Sequence, residues 1–249
     1  MKTKIPSPFL SIVISTYNDA KNLNVTLKSL AYLKSKGENF EVIIVDAASK
    51  DYTCDMVKQF LEIIDCFITE PDHGIYDAWN KALKKCKGQY ISFLGAGDIY
   101  TEEGLKSLVR SALLNPEDEF IHSKALVHKG NSAKVIGRKW KWSEFRHFMK
   151  VVHCGAFHKS ILFDDLGGFD SSYKIAGDYE FLLRKGNALK ARYIDEVAVE
   201  MAPFGVSQNQ VRVFFESARA KIANRAVSWW RAFFDMLYAL LVYIITKIS

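Results

Sequence analysis

Short apolar runs alternate with amphipathic stretches through the first 95 or so residues, and that rhythm restricts the fold more than any other feature of the chain. Residues 10–15 read as a buried strand, and the following helix puts Leu23, Leu27, Leu30 and Ala31 on one face, with Asn18 and Asp19 placed to cap it. Residues 40–45 form a second strand ending at Asp46, and a loop over 47–50 leads into a helix carrying Val57, Phe60, Leu61 and Ile64. Residues 66–69 are a short third strand. Ile75, Ala78, Trp79, Ala82, Leu83 and Cys86 mark a third helix, Gly88 stops it, and 90–94 is a fourth strand. Such alternation predicts an α/β fold with a mostly parallel sheet flanked by helices. Oxygen-bearing side chains collect just beyond the strand ends: Thr16 and Asn18, Asp46 and Ser49, then Asp98. Open α/β sheets bind ligands at the carboxyl ends of their strands, so this edge is expected to hold a nucleotide.

The middle of the chain changes character. A helix is predicted over 102–114, strands over 119–127 and 133–138 around the turn Lys129-Gly130-Asn131, a short helix over 143–150 and a strand over 151–157. Gly167-Gly168 is a turn and 176–185 a helix. Residues 208–249 read as one or two helices. With 49% hydrophobic and 25% charged residues in 249, the chain is a folded protein of one large domain plus an appendage. The four cysteines, Cys54, Cys66, Cys86 and Cys154, form no C-x-x-C pair, so they read as small buried hydrophobes in a reducing compartment rather than zinc or redox sites. Residues 1–8 hold two lysines and no apolar core follows, so a cleaved secretory signal is not expected. The net charge of +6 suits a partner rich in phosphate: a nucleotide, a nucleic acid or an anionic membrane. From Gln208 onward there are six bases against two acids, interleaved with tryptophan and phenylalanine. Bases gathered in an apolar tail favour a membrane over a nucleic acid, whose ligands line a groove or sheet.

Ordered motifs along the chain resemble one family. Ser11-Ile-Val-Ile-Ser-Thr-Tyr-Asn18 looks like its opening strand, and Ile44-Val-Asp-Ala-Ala-Ser-Lys-Asp51 resembles V-D-G-G-S-x-D. Glu70-Pro-Asp-His-Gly-Ile-Tyr-Asp-Ala-Trp-Asn-Lys81 and Gly88-Gln-Tyr-Ile-Ser-Phe-Leu-Gly-Ala-Gly-Asp98 are similar to E-x-D-x-G-I-Y-D-A-M-N-K and G-x-Y-I-x-F-L-N-S-G-D. Phe169-Asp-Ser-Ser-Tyr-Lys-Ile-Ala-Gly-Asp-Tyr-Glu-Phe-Leu-Leu-Arg184 resembles G-F-D-E-x-Y-x-x-A-x-D-Y-D-L-x-L-R. These are marks of family 2 glycosyltransferases with the GT-A fold, of the bacterial polysaccharide-biosynthesis type, over roughly residues 9 to 200.

The resemblance implies an inverting, metal-dependent transfer from a nucleotide-diphosphate sugar, UDP-sugar first, to a hydroxyl of a saccharide or polyprenyl-linked acceptor in surface polysaccharide synthesis. It implies that Thr16, Asn18, Asp46, Asp72, Asp77, Asn80 and Lys81 hold the donor. Asp46 would contact the base; the alternative is a cap on the turn before Ser49. Asp77, Asn80 and Lys81 lie near one another on a helix, and Lys81 would offset phosphate charge or simply face water. Asp98, the one carboxylate left of the family's Asp-x-Asp-Asp, would ligate Mg²⁺ or Mn²⁺; the alternative is an N-cap. Asp178 would be the general base, with Glu180 rotated away from it by helical geometry. His153, in a segment matching H-Q-x-x-F with Cys154 in place of the glutamine, would touch acceptor, phosphate or metal, or else be structural.

The expected organisation is a catalytic domain over 1–205, split into a nucleotide-sugar half at 1–100 and an acceptor half at 101–205, followed by an amphipathic extension over 206–249. The apolar run 236–245 is short against the ~20 residues of a membrane span. Extending it backward would bury Arg231 and Asp235. Phe233, Leu237, Leu240, Leu241 and Ile244 share a face, which suits peripheral contact with the inner face of the cell membrane through 228–248. A core-packing helix, or one that forms a homo-oligomer, is the alternative. Among rival activities, a nucleotidyltransferase would need a glycine- and arginine-rich loop after the first strand, and Ser15-Thr-Tyr-Asn18 is not one. A catalytically dead scaffold sits poorly with the presence of both Asp98 and Asp178.

Overall fold

In the computed structural model, which describes residues 8–129, 132–202 and 211–248, the first strand β1 (Leu10–Thr16) is paired on both sides. β2 (Phe40–Asp46) and β4 (Tyr90–Gly95) run parallel to it, Leu10 opposite both Phe40 and Tyr90, and Thr16 opposite Asp46. β3 (Cys66–Thr69) adds in parallel outside β2. Helices cover both faces, which is why residues 12–14 of β1 and 42–45 of β2 are continuous apolar runs instead of alternating. α1 (Ala20–Ser35) packs Leu23, Leu27, Leu30 and Leu33 against Ile12, Ile14, Val42 and Ile44. α3 (Ile75–Leu83) packs Tyr76, Trp79 and Ala82 against Val13, Ile43 and Val45 on the other side.

The helix expected after Asp46 is shorter than its apolar spacing predicts. α2 (Thr53–Val57) tightens into a 3₁₀ turn over Lys58–Phe60. At three residues per turn the core-facing position passes from Phe60 to Ile63, and Leu61 is left 58% exposed.

Beyond β4 the sheet reverses. Its order is β3-β2-β1-β4-β8-β6-β9-β5, with β7 paired to β6. Here β5 is Ile99–Tyr100, β6 Phe120–Lys129, β7 Ser132–Ile136, β8 Phe157–Lys159 and β9 Ala191–Met201. β8 is antiparallel to both β4 and β6, while β6 and β9 are parallel. The parallel part is thus confined to the first four strands plus one later pair, and one continuous sheet joins the two expected halves. α4 (Glu102–Leu114) forms where predicted, with Thr101 Oγ1 accepting the Gly104 amide as its N-cap. α6 (Ile161–Leu166) and α7 (Gly177–Lys185) follow β8.

Two expectations in this half change. The helix over 143–150 shrinks to α5 (Trp142–Phe145). The strand over 151–157 is mostly loop, because Gly155 turns the chain at φ +70°, where a side chain would collide with Val199 and Tyr100. The strand starts only at Phe157. β9 is absent from the sequence reading, since Arg192, Asp195, Glu196 and Glu200 break its hydropathy. The turn at Gly130-Asn131, residues 1–7, residues 203–210 (with Gln208) and Ser249 lie outside the described residues.

The tail forms an antiparallel helical hairpin, α8 (Arg212–Ala223) and α9 (Trp229–Ile248), with the Phe214 and Tyr243 rings 5.6 Å apart. α9 turns Ala232 and Asp235 inward. Asp235 meets Lys221 Nζ at 3.2 Å, His147 Nδ1 at 2.8 Å and, one turn away on its own helix, Arg231 Nε at 3.1 Å. The outer face carries Trp229, Phe233, Phe234, Leu237, Leu241, Ile244 and Ile245, all exposed. The charges that shortened the predicted apolar run therefore lie within a 20-residue helix, with Asp235 neutralised against the protein.

Gly104 of α4 approaches the backbone of β9 so closely that an added Cβ would overlap the Ala198 Cα. Gly104→Ala should destabilise the fold by about 1–3 kcal/mol in urea unfolding, the usual cost of overpacking against backbone.

Candidate active site

The carboxyl ends of β1 and β4 open onto a cleft of about 920 Å³. Its walls include Thr16, Tyr17, Asp72, Trp79, Asp98, His153, Cys154, Lys174 and Asp178, together with Val213 and Ser217 of α8.

Asp98 follows the β4 exit turn. Its Oδ2 accepts the Gly95 amide at 3.0 Å and the Cys154 thiol at 2.9 Å, and its Oδ1 accepts the Ala202 amide at 2.8 Å. It is 8% exposed, and burial raises its pKa against the pull of these donors. A carboxylate oxygen has two acceptor sites, so Oδ1 keeps one for a further ligand.

Asp178 stands in the first turn of α7. Its Oδ1 accepts the Tyr179 amide at 2.8 Å and the Tyr76 hydroxyl at 3.2 Å; that hydroxyl also reaches the Ile175 carbonyl at 2.6 Å. Gly177 admits the Tyr76 ring, which a Cβ would meet at 2.7 Å. No partner reaches Oδ2 among the described residues. Burial pushes the Asp178 carboxyl up to about 6. Glu180, two residues on, is held by Arg184 and Asn224, as helical geometry predicts for a residue on another face.

His153 lies nearly parallel to Trp79 and Phe93, ring centroids 5.4 and 5.7 Å away. Burial pushes its pKa down to about 3, so it enters any chemistry as a neutral imidazole. Its Nε2, Trp79 Nε1 and Thr16 Oγ1 are buried without a hydrogen-bond partner among the described residues. The three residues that carry these groups line one cleft, and His122 and His158 elsewhere in the core carry unpartnered nitrogens as well.

The remaining predicted donor contacts divide. Thr16 and Asp72 line the cleft. Asp46 lies behind it, fully buried, and accepts from the Ser49 amide and hydroxyl and from Thr69 Oγ1 at 2.8 Å. These bonds are those of the turn-capping alternative. Asn18, at φ 48°, binds the 49–50 loop through its own amide and Oδ1. Asp77 accepts the His73 amide at 3.0 Å. Lys81 is occupied by Glu70 at 3.1 Å, Asp77 at 3.5 Å and the Pro71 carbonyl. Asn80 clamps the Phe169 backbone through both amide atoms, at 2.8 Å each. None of these five lines the cleft. Among the described residues the cation that does is Lys174, whose Nζ donates to the His73 and Ser171 carbonyls and keeps a third proton free. Its place inside the Phe169–Arg184 motif, four residues before Asp178, was the available signal.

Among the described residues no cluster of three His, Cys, Asp or Glu side chains could hold a metal ion. The donor set nevertheless fits a hard cation as one of several ligands: Asp98 offers a free oxygen site, and His153, which lines the same cleft, has an unpartnered nitrogen. Such a cation would need most of its coordination from elsewhere.

Residues 11–162 match glycosyl transferase family 2, and the chain belongs to that family. It is similar to a PGL/p-HBAD biosynthesis glycosyltransferase of Mycobacterium tuberculosis, 25% identical over 82% of this chain and 81% of that one. An uncharacterised glycosyltransferase of Rickettsia prowazekii is 28% identical over 72% of this chain and 59% of its own. Among solved structures, Staphylococcus aureus TarS 1–349 in complex with UDP superposes with a TM-score of 0.67 at 18% identity, covering 90% of this chain and 68% of that one. A mannosyltransferase of Pyrobaculum calidifontis in complex with GDP-Man and Mn²⁺ gives 0.60 at 19% identity, over 88% and 63%. The protein is thus a glycosyltransferase with a GT-A fold.

A buried carboxyl with its pKa raised to about 6 also affects stability. The folded state holds this proton more tightly than the unfolded chain, so its contribution is present below pH ~4 and is lost as pH rises through ~6. Asp178→Asn should therefore raise the melting temperature at pH 8, equivalent to about 1–3 kcal/mol, and change it little at pH 4. Thermal scans at the two pH values decide this.

Proposed function

We propose that the protein transfers a glycosyl unit from a nucleotide-diphosphate sugar, UDP-sugar first, to a hydroxyl of a saccharide or polyprenyl-linked acceptor, with inversion, in surface polysaccharide synthesis. The observation that carries this reading is that Asp98 and Asp178 line one cleft, one carrying a free oxygen site for a diphosphate-bound cation and the other a raised pKa. UDP and GDP-Man in the related structures support a nucleotide-sugar donor.

Asp178 Oδ2 takes the proton of the acceptor hydroxyl while that oxygen attacks the anomeric carbon. The bond from that carbon to the diphosphate oxygen breaks in the same displacement, which inverts the centre. Tyr76 and the Tyr179 amide hold Oδ1, so the lone pairs that move are those of Oδ2. Asp98, with His153 in the same cleft, would hold Mg²⁺ or Mn²⁺, which would neutralise the leaving diphosphate. Lys174 adds a positive charge to the same cleft. Thr16 and Trp79 supply hydrogen-bonding atoms that no protein group uses. Peripheral attachment to the inner face of the cell membrane, in the cytoplasm, is supported by the outer face of α9. Its span Trp229–Thr246 is apolar enough to cross a membrane by length and composition, yet α8 covers its inner side. A helix packed along its flank lies in an interface more readily than it spans one.

Asp178→Asn should lower transfer by about 10²–10⁴-fold while leaving UDP binding within a few-fold of wild type. Loss of UDP binding with transfer retained would remove Asp178 from the role of base. The wild-type rate should rise with pH along a limb with an apparent pKa near 6. Lys174→Ala should weaken UDP binding about tenfold, measured by calorimetry with Mn²⁺ present, as loss of one charge-assisted contact. A panel of UDP-, GDP- and dTDP-sugars, read by Mn²⁺-dependent thermal stabilisation, identifies the donor.

A further inference from the structure

The geometry points to a second, electrostatic half of the membrane-contact surface: the exposed bases of segment 138–150 bind anionic lipid headgroups and hold the acceptor side of the cleft against them. This rests on the reading that the outer face of α9 meets a membrane, and it adds a partner chemistry which that reading leaves open.

Segment 138–150 contains five bases, Arg138, Lys139, Lys141, Arg146 and Lys150, and one acid, Glu144. All five bases are exposed. Glu144 pairs with Lys141 at 3.3 Å and Lys150 at 3.1 Å, so among the described residues Arg138, Lys139 and Arg146 have no carboxylate partner. The segment and the tail from Gln208 together hold a net charge of +8 in a chain whose total is +6, which leaves the remainder at −2. The positive charge is therefore concentrated in two stretches, and the fold brings them together.

The junction is built from side chains. His147 Nδ1 meets Asp235 of α9 at 2.8 Å, the Phe148 and Tyr238 rings lie 6.0 Å apart, and Lys221 of α8 sits over Phe148 at 5.0 Å. The Arg138 amide donates to the Lys150 carbonyl at 3.1 Å, closing the segment on itself. Met149 and Val151, next along the chain, line the catalytic cleft, as do Val213 and Ser217 of α8. The basic segment and the apolar helix thus flank the same side of the cleft. An exposed apolar helix face joined through His147 and Phe148 to a segment that carries unpaired bases is complementary to a bilayer with anionic headgroups. A second copy docked about a two-fold axis through α9 would bring two basic segments toward each other, which charge repulsion opposes.

The test is flotation of the full chain with vesicles of POPC alone or POPC with 30% POPG, at low and high salt. Wild type should bind the anionic vesicles at least tenfold better than the neutral ones, and high salt should abolish the difference. Arg138→Glu/Lys139→Glu/Arg146→Glu should bind both vesicles at the neutral level, with UDP-induced thermal stabilisation unchanged. Lys28→Glu/Lys84→Glu/Lys85→Glu, the same change in net charge placed elsewhere, should float like wild type. The inference is overturned if the first triple variant floats like wild type, or if the second loses binding equally. Phe234→Glu/Leu241→Glu separates the two ideas: loss of binding in this variant alone leaves α9 as the sole contact. Wild type that binds neither vesicle, or a dimer that only this variant dissociates, removes both.

Discussion

Asp98 is the point where three distant stretches of chain are tied together. The amide of Gly95 at the end of β4, the thiol of Cys154 in the loop before β8 and the amide of Ala202 after β9 all donate to one buried carboxylate. Without that acceptor, three partly buried donors would lose their partner, each at a cost comparable to an unmade hydrogen bond. The parallel strands present their carboxyl ends along one edge, and this knot attaches the reversed half of the sheet to that edge. A second tie crosses the cleft, where Tyr76 of α3 reaches Ile175 and Asp178. A third is Asn80, which grips the Phe169 backbone. The first 100 residues and the part of the chain that follows are therefore one body around the cleft.

Burial dominates the electrostatics of that body. It raises the carboxyls of Asp98 and Asp178 and lowers the imidazole of His153, so each group is biased toward its neutral form. A cleft of this kind resists ionisation until something charged enters it. The same burial leaves Thr16, Trp79 and His153 with unmet hydrogen-bonding capacity. These are costs to folding, and they sit where an incoming polar ligand would relieve them.

Much of this was legible in the chain. The first four strands were, because doubly covered parallel strands are continuous apolar runs whose ends are easy to see. Asp98, Asp178 and His153 were legible through ordered motifs, and all three line the cleft. What the sequence left out was direction. Asp46 and Asn80 have the right chemistry for a nucleotide, but Ser49 and Thr69 turn the first inward, and Phe169, 89 residues further on, takes both ends of the second. For Lys81 the sequence left a phosphate contact and a solvated face both open; three local acceptors hold it, and the cation lining the cleft among the described residues is Lys174. β9 was missed because its charged residues find partners on neighbouring elements: Arg192 with Asp118, Asp195 with Lys124 and Glu200 with His128. No local pattern records such pairings. The loop at Gly155 was missed for a similar reason, since the side chains that demand a glycine come from Tyr100 and Val199.

The placement of Asp235 has a mechanical consequence. A smooth apolar cylinder lying on a neighbour can roll about its long axis at little expense, because one greasy side is much like another. This helix cannot, since a quarter turn would drag a carboxylate out of contact with Lys221 and His147. Its azimuth is set by an ion cluster, and so is the direction in which its exposed apolar side points. That side therefore keeps a constant bearing relative to the entrance of the cleft.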